Sequence, residues 1–319
     1  MNILYLLVYL CWYLLSLLPL RLLYLLSDVL YFFVAKVAKY RYKVLWDNVS
    51  SSFPDYNEAQ KKHIISSFYA WLCDYFVETI KLLTMSKAEI KRRMIFTGCD
   101  EMDKYWAEKR SIGIYLGHYG QWEWVTSLPL WLKSEGKCTQ IYHPLENKIF
   151  DKLFLKVRQR YGAVCIPMNE SLRKIAKYRA KSVAVVVGYI ADQAPFWNNI
   201  HHWISFLHHD TPVFTGAERM IKTTNQVVYY ADVHRVKRGY YICNFKKISD
   251  QPKKYPDYEL TDTYFNLLEH SIRYDPSIYL WSHKRWKRTH EEYNIRLNKA
   301  TGIVDLRDLN IIKQEKGIS

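Results

Sequence analysis

The chain has 319 residues, 49% of them hydrophobic and 16% aromatic, which excludes a disordered or fibrous protein and allows one large domain or two small ones. Lysine and arginine number 46 against 31 acidic residues, for a formal charge of +15. Such an excess favours an anionic partner, whether a phospholipid surface, nucleic acid or an acidic carrier protein, and does not choose among them.

The first segment is apolar. From Ile3 to Leu20 there is no charged side chain, a run of roughly 27 Å as a helix, against a bilayer core of about 30 Å. Pro19 and Arg21 interrupt it. A second apolar stretch, Leu22 to Val37, carries Asp28 and ends among Lys36, Lys39, Arg41 and Lys43. A cleaved signal peptide would need a basic start and small residues at the cut; Met1-Asn2 brings no basic side chain, and the apolar run ends in no Ala-x-Ala site. Residues 1–43 are therefore expected to be an uncleaved membrane anchor, the second stretch spanning or lying along the surface. The basic cluster after it leaves the body on the cytoplasmic side. The competing reading buries both stretches in the core.

Residues Asn57 to Leu83 read as one long amphipathic helix, with Ile64, Phe68, Trp71, Tyr75 and Ile80 on one stripe. Asp100–Arg110 is a shorter helix. Strand-like runs follow at Ser111–Gly117, Lys137–His143, Ala163–Pro167, Ser182–Ile190, Asn225–Val233 and Gly239–Lys247. Helical patterns at Trp122–Ser134, Lys148–Tyr161, Ser171–Ala180 and Thr215–Thr224 separate most of them. The alternation predicts an α/β domain with a largely parallel central sheet flanked by helices. From Thr289 the chain is polar and weakly patterned, as a surface tail would be. The six cysteines include no Cys-x-x-Cys pair, so buried, reduced thiols are expected rather than a zinc or redox motif.

The segment Gly117-His118-Tyr119-Gly120-Gln121-Trp122-Glu123 leaves a predicted strand and enters a predicted helix. Ligands of open α/β sheets gather at the carboxyl ends of strands. Gly117 and Gly120 permit a tight turn, across which His118 and Glu123 can converge. Glu123 would then hold one imidazole tautomer while His118 takes a proton.

That segment resembles the Gly-His-aromatic-Gly-Asn-Trp-Glu signature of the late acyltransferases of lipid A biosynthesis. Other elements agree in order. Asn48 to Pro54 resembles the family's Asn-x4-Phe-Pro. Tyr142-His143-Pro144-Leu145-Glu146-Asn147 resembles its Tyr-Arg-Pro-Leu-x-Asn, and Arg158 and Gly162 follow. Asp192-Gln193 matches a strand-end pair, and Tyr279 to Lys287 resembles Tyr-Leu-Trp-x-His-x-Arg-Trp-Lys.

The resemblance implies a glycerolipid-acyltransferase-like fold over residues 44–288, followed by a tail over 289–319. It also implies transfer of an acyl chain from a thioester, usually on acyl carrier protein, to a lipid A precursor hydroxyl. The setting would be the cytoplasmic side of the bacterial inner membrane, among its phospholipids. His118 and Glu123 are the expected catalytic pair, and Tyr142, His143, Asn147, Arg158, Asp192, Gln193 and Arg285 the substrate-binding set. No bound cofactor or metal is expected, and no covalent acyl-enzyme, since no nucleophile elbow is present. His143 stands where the family has Arg, which keeps open a different glycolipid or aminolipid acceptor. A non-catalytic lipid-binding protein is the rival from another class.

Two further clusters have blander explanations. His201, His202, His208, His209 and Asp210 fit no zinc spacing and are expected in a surface loop. His283 to Arg288, basic with an interleaved Trp, suits lipid phosphates or an acidic carrier better than nucleic acid, given the apolar amino terminus. Glu218 reads as a helix-surface charge or a site residue.

Overall fold

The computed structural model describes residues 3–318, so Met1 and Asn2, which bear on the signal-peptide reading, lie outside it. Helix α1, Ile3–Leu17, has 15 residues, about 22 Å at about 1.5 Å per residue. Pro19 cannot continue it and caps α2, Leu20–Tyr31, which passes into a π-helical turn over Phe32–Val37. The two stretches are bent by 116°, and among the described residues no single helix is long and apolar enough to cross a membrane.

Both helices lie against α4, Glu58–Leu82, the expected long helix, begun by a capping box between Asn57 and Gln60. Trp12 donates to the Ile80 carbonyl at 3.2 Å, and Lys81 Nζ donates to the Ser16 and Leu18 carbonyls, each at 3.0 Å. On α2, Leu23 and Ser27 are buried, and Ser27 donates to Asp74 at 2.6 Å. Arg238 grips both Asp74 and Asp28 at 2.6 Å. The opposite faces stay uncovered, exposing Leu7, Leu14, Leu25, Val29, Phe32 and Phe33. Helix α3, Tyr42–Ser52, follows, and α5, Lys87–Arg93, leads into the sheet.

The sheet has seven strands: β1 Met94–Thr97, β2 Ile112–Leu116, β3 Lys137–Tyr142, β4 Val164–Pro167, β5 Val185–Ile190, β8 Val227–Lys237 and β9 Tyr240–Ser249. Their spatial order is β1-β9-β8-β2-β5-β3-β4. The run β8-β2-β5-β3-β4 is parallel, while β9 is antiparallel to β8 and carries β1 with it. The flanking helices are α6 Cys99–Ala107, α7 Lys148–Arg158, α8 Ser171–Ala180, α9 Gly216–Thr224 and α10 Glu259–Tyr274. Strands β2 and β5 sit centrally and are almost wholly buried, as covering on both faces demands.

Two expectations are corrected and two segments gain helices. The helix expected over Trp122–Ser134 is a 3-10 helix, Trp122–Leu130, with Pro129 unable to donate inside it. The histidine-rich segment is not a loop but a hairpin, β6 Trp203–Phe206 and β7 His209–Pro212, turned by Leu207 and His208 at positive φ. Helix α10 is an addition, its stripe of Leu260, Tyr264, Leu268 and Ile272 fully buried behind β2 and β8. The tail folds into α11, His290–Arg296, and α12, Leu309–Lys316, held by Arg296 donating to the Asp305 and Arg307 carbonyls. Cys11 is exposed and the other five cysteines are buried, all free.

Candidate active site

Strand β2 ends at Leu116, and in the parallel ladder Leu116 pairs with Ile190 of β5. Two residues beyond each lie His118 and Asp192, so the register sets them side by side at the carboxyl end of the sheet. His118 Nδ1 and Asp192 Oδ1 are 2.7 Å apart, and the His118 backbone amide donates to Asp192 Oδ2 at 3.0 Å. Both carboxylate oxygens are thus committed to one residue. Asp192 is 2% exposed, whereas the His118 ring keeps 19% of its surface.

The turn that carries His118 is tightly built. A Cβ on Gly117 would come within 2.8 Å of Leu268, and one on Gly120 within 2.7 Å of Val233. Gly120 also has φ +61°, where a side chain is strained. The Gly120 amide donates to the Ile278 carbonyl at 2.9 Å, and the Leu280 amide to the His118 carbonyl at 3.1 Å. The Tyr279 segment is therefore a second rail for the turn. Asn48 of α3 secures that rail by donating to the carbonyls of Trp281 (2.7 Å) and His283 (2.9 Å).

Burial alone would raise the Asp192 carboxyl, but His118, through its charge and its ring and amide hydrogen bonds, and then Arg285 hold it below the usual range. Arg285 itself is 1% exposed and donates to the Pro212 carbonyl at 2.9 Å, with Nε and Nη1 unpaired among the described residues. Its charge adds to the field that holds the Asp192 carboxyl ionised. His283, beside it, accepts from the Ala194 amide at 3.4 Å. Burial, then the positive charges of Arg285 and His118, lower it to about 4 despite the opposing pull of Asp192, so it is neutral at physiological pH.

Glu123 does not bond to His118. Its carboxylate, 2% exposed, takes a fork from Arg158, Nε to Oε2 at 2.7 Å and Nη2 to Oε1 at 2.5 Å, and Tyr75 donates at 3.4 Å. Burial opposes the Arg158 charge, but Glu123 more than restores it. The Trp122 ring joins the two groups, stacking on Tyr75 at 4.2 Å and meeting the His118 ring edge-on at 5.1 Å. Residues five apart thus serve two different partners. One carboxylate steers the imidazole and the other fixes a guanidinium.

The family model of bacterial lipid A biosynthesis acyltransferases matches residues 2–288. The chain belongs to that family. Among its relatives, the lipid A biosynthesis acyltransferase of Haemophilus influenzae is 22% identical over 216 residues, 67% of this chain and 66% of that protein. The match therefore spans just under two thirds of the relative's length.

The remaining expected residues divide by place. Gln193 joins the centre, its amide Nε2 lying 3.3 Å from His118 Nε2. Tyr142 ends β3 half-buried, and His143 is exposed, its Nδ1 3.0 Å from the Pro144 carbonyl. Asn147 is spent on structure: its side-chain oxygen accepts from the Ile149 and Phe150 amides and caps α7. Glu218 is buried and accepts from the Tyr258 and Thr261 amides at the start of α10, a structural role. Just before the hairpin His202 pairs with Asp262, within it His209 stacks on Trp286, and among the described residues no group of three or more ligating side chains could hold a metal. Sequence reasoning missed Asp192 as the partner of His118. The available signal was two apolar runs, Ile112–Leu116 and Val185–Ile190, each ending two residues before a polar side chain.

Proposed function

We propose that the protein moves a fatty acyl chain from an acyl thioester, carried by acyl carrier protein, to a hydroxyl of a lipid A precursor, with His118 as general base. The observation that carries this reading is the His118–Asp192 pair at the carboxyl ends of two adjacent strands, with the carboxylate buried and the ring still open to the surface. Asp192 accepts from Nδ1–H, which leaves Nε2 as the basic nitrogen. The acceptor hydroxyl gives its proton to Nε2 as its oxygen attacks the thioester carbonyl. The tetrahedral adduct then collapses, the carbon–sulfur bond breaks, and the proton passes from Nε2 to the departing thiolate. Gln193 stands where the hydroxyl must bind and has to swing aside. The Glu123–Arg158 fork holds Trp122 and Tyr75 in place beside the His118 ring and is itself charge-compensated.

The uncovered apolar face of α1 and α2, bordered by Arg21, Lys36, Lys39 and Lys43, supports seating on the cytoplasmic leaflet of the bacterial inner membrane. A helix pair packed on α4 by one side suits an interfacial mode. The decisive assay supplies a defined acyl-carrier donor and purified lipid A precursor and reads product mass. The parent protein should add one acyl chain and His118→Ala should add none; an inactive parent, or an active His118→Ala, overturns the reading. The exposed His143 at the mouth favours one variant, the same chemistry on another glycolipid or aminolipid, and lipid profiling of a deletion strain separates the two.

A further inference from the structure

Glu78 takes no part in the acyl-transfer chemistry, yet it is the most enclosed carboxylate near it. It lies on α4 with 0% of its surface exposed. Tyr24 of α2 donates to its Oε1 at 2.8 Å, while Gln121 Nε2 at 2.7 Å and Tyr241 of β9 at 3.1 Å donate to its Oε2. Among the described residues no lysine or arginine pairs with it. Burial and the charge of Asp74 raise its carboxyl to about 7, against the hydrogen bonds from Gln121, Tyr24 and Tyr241. Such a group is costly to keep unless the convergence itself is needed.

An ionised carboxylate is the side chain that can accept several converging donors without offering one. Here the three donors come from three elements: the apolar-faced α2, the sheet, and the turn that carries His118. Gln121 is itself 0% exposed and follows Gly120, the residue at φ +61°, so fixing its amide fixes where the chain leaves β2. Beyond Tyr24, α2 presents Leu22, Leu25 and Val29 to the outside.

We infer that Glu78 is a positioning residue that locks the His118 turn to α2, so that seating α2 on a lipid surface also orders the catalytic turn. The inference rests on the proposed catalytic and membrane roles, but its main readout, hydrogen exchange of the turn, does not need activity.

The test uses the full chain, with and without vesicles of phosphatidylethanolamine and phosphatidylglycerol. In the parent, vesicles should slow exchange in both α2 and the 117–124 segment. Glu78→Gln should speed exchange in 117–124 at least roughly tenfold while β5 is unchanged, because one amide oxygen cannot serve three donors. It should lower kcat roughly ten- to a hundredfold with KM held within about twofold, the pattern of a displaced base. Combining Glu78→Gln with Gln121→Glu restores one carboxylate facing one amide and should recover most of the loss. If Glu78→Gln does not fold, Tyr24→Phe carries the test: α2 should still be protected by vesicles and the turn should not. Unchanged exchange in 117–124 in both variants, or a vesicle effect on the turn that survives Tyr24→Phe, overturns the inference. A parent protein that performs no transfer but shows the coupled exchange overturns the catalytic reading alone.

Discussion

Replacing Asp192 by Asn tests whether Asp192, which the structure places on His118, or Glu123, which the sequence offers as its partner, supports the imidazole. Two donors converge on Asp192, the ring Nδ1–H at 2.7 Å and the His118 amide at 3.0 Å. An amide side chain has one accepting oxygen and two hydrogens. The backbone N–H cannot reverse, so the Asn oxygen goes to it and the NH2 faces Nδ1. The ring must then carry its proton on Nε2, the nitrogen proposed to act as base. In serine-protease triads the same change lowers kcat about 10⁴-fold with geometry intact. For a ring partly exposed, a fall of about 10³–10⁴ is expected, which is about 4–5.5 kcal/mol of barrier. Loss of one good acceptor beside the buried Arg285 should also lower stability by about 1–3 kcal/mol. Initial-rate transfer assays give the first number and ¹⁵N spectra of the imidazole give the tautomer. A variant that keeps its rate within tenfold, or keeps the proton on Nδ1, would refute the assignment of Asp192.

Glu123→Gln should act through Arg158: stability falls by about 3–5 kcal/mol as a buried guanidinium loses its counter-charge, and the His118 tautomer stays as it was. Arg158→Met in the same background should restore much of that stability but not the rate, as read by denaturant unfolding beside transfer assays. His283 has a folded-state value of about 4 against an ordinary 6.5, so its contribution is fully present above pH 6.5 and disappears as pH falls through 4. His283→Phe should flatten the melting temperature across that window; an unchanged slope counts against a neutral buried ring. Gly120→Ala, strained at φ +61° and 2.7 Å from Val233, should cost about 2–4 kcal/mol. Replacing Leu25 and Phe32 by Glu should leave the fold intact and release the protein from anionic vesicles in flotation; retained binding refutes the interfacial face.

The sheet was legible because buried parallel strands need short, continuous apolar runs, and six such runs were present. β1 escaped notice because Met94–Thr97 is four residues long, with Ile95 exposed at an edge. Helix α10 escaped for a different reason. Its charged residues interleave with the apolar stripe, and Pro256 and Pro276 bracket it so closely that the segment reads as connecting chain. The hairpin at the histidine cluster was hidden because its turn uses Leu207 and His208 at positive φ, positions where glycine or asparagine normally gives the signal. For the amino terminus, residue count alone suggested a span. Pro19 divides that length into two helices at 116°, and tertiary contacts from α4 decide which face is left over.

At the site, residue types were legible and pairings were not. The His-x4-Glu spacing suggests a dyad because both side chains are near in sequence, and a strand-turn-helix junction can fold them together. What decides is competition for each carboxylate. Glu123 enters a 3-10 helix, where Arg158 from the end of α7 presents a bidentate, charged partner, and a neutral ring nitrogen cannot outbid that fork. Asp192 meets no such rival at hydrogen-bond distance, since Arg285 is turned to the Pro212 carbonyl. It therefore accepts from the ring and the amide that the β2–β5 register brings to it. A ring whose carboxylate partner is set by strand register does not depend on the 3-10 segment for its orientation. Under the proposed mechanism, Gln193, 3.3 Å from Nε2, is then the side chain that has to move for an acceptor hydroxyl to reach the ring.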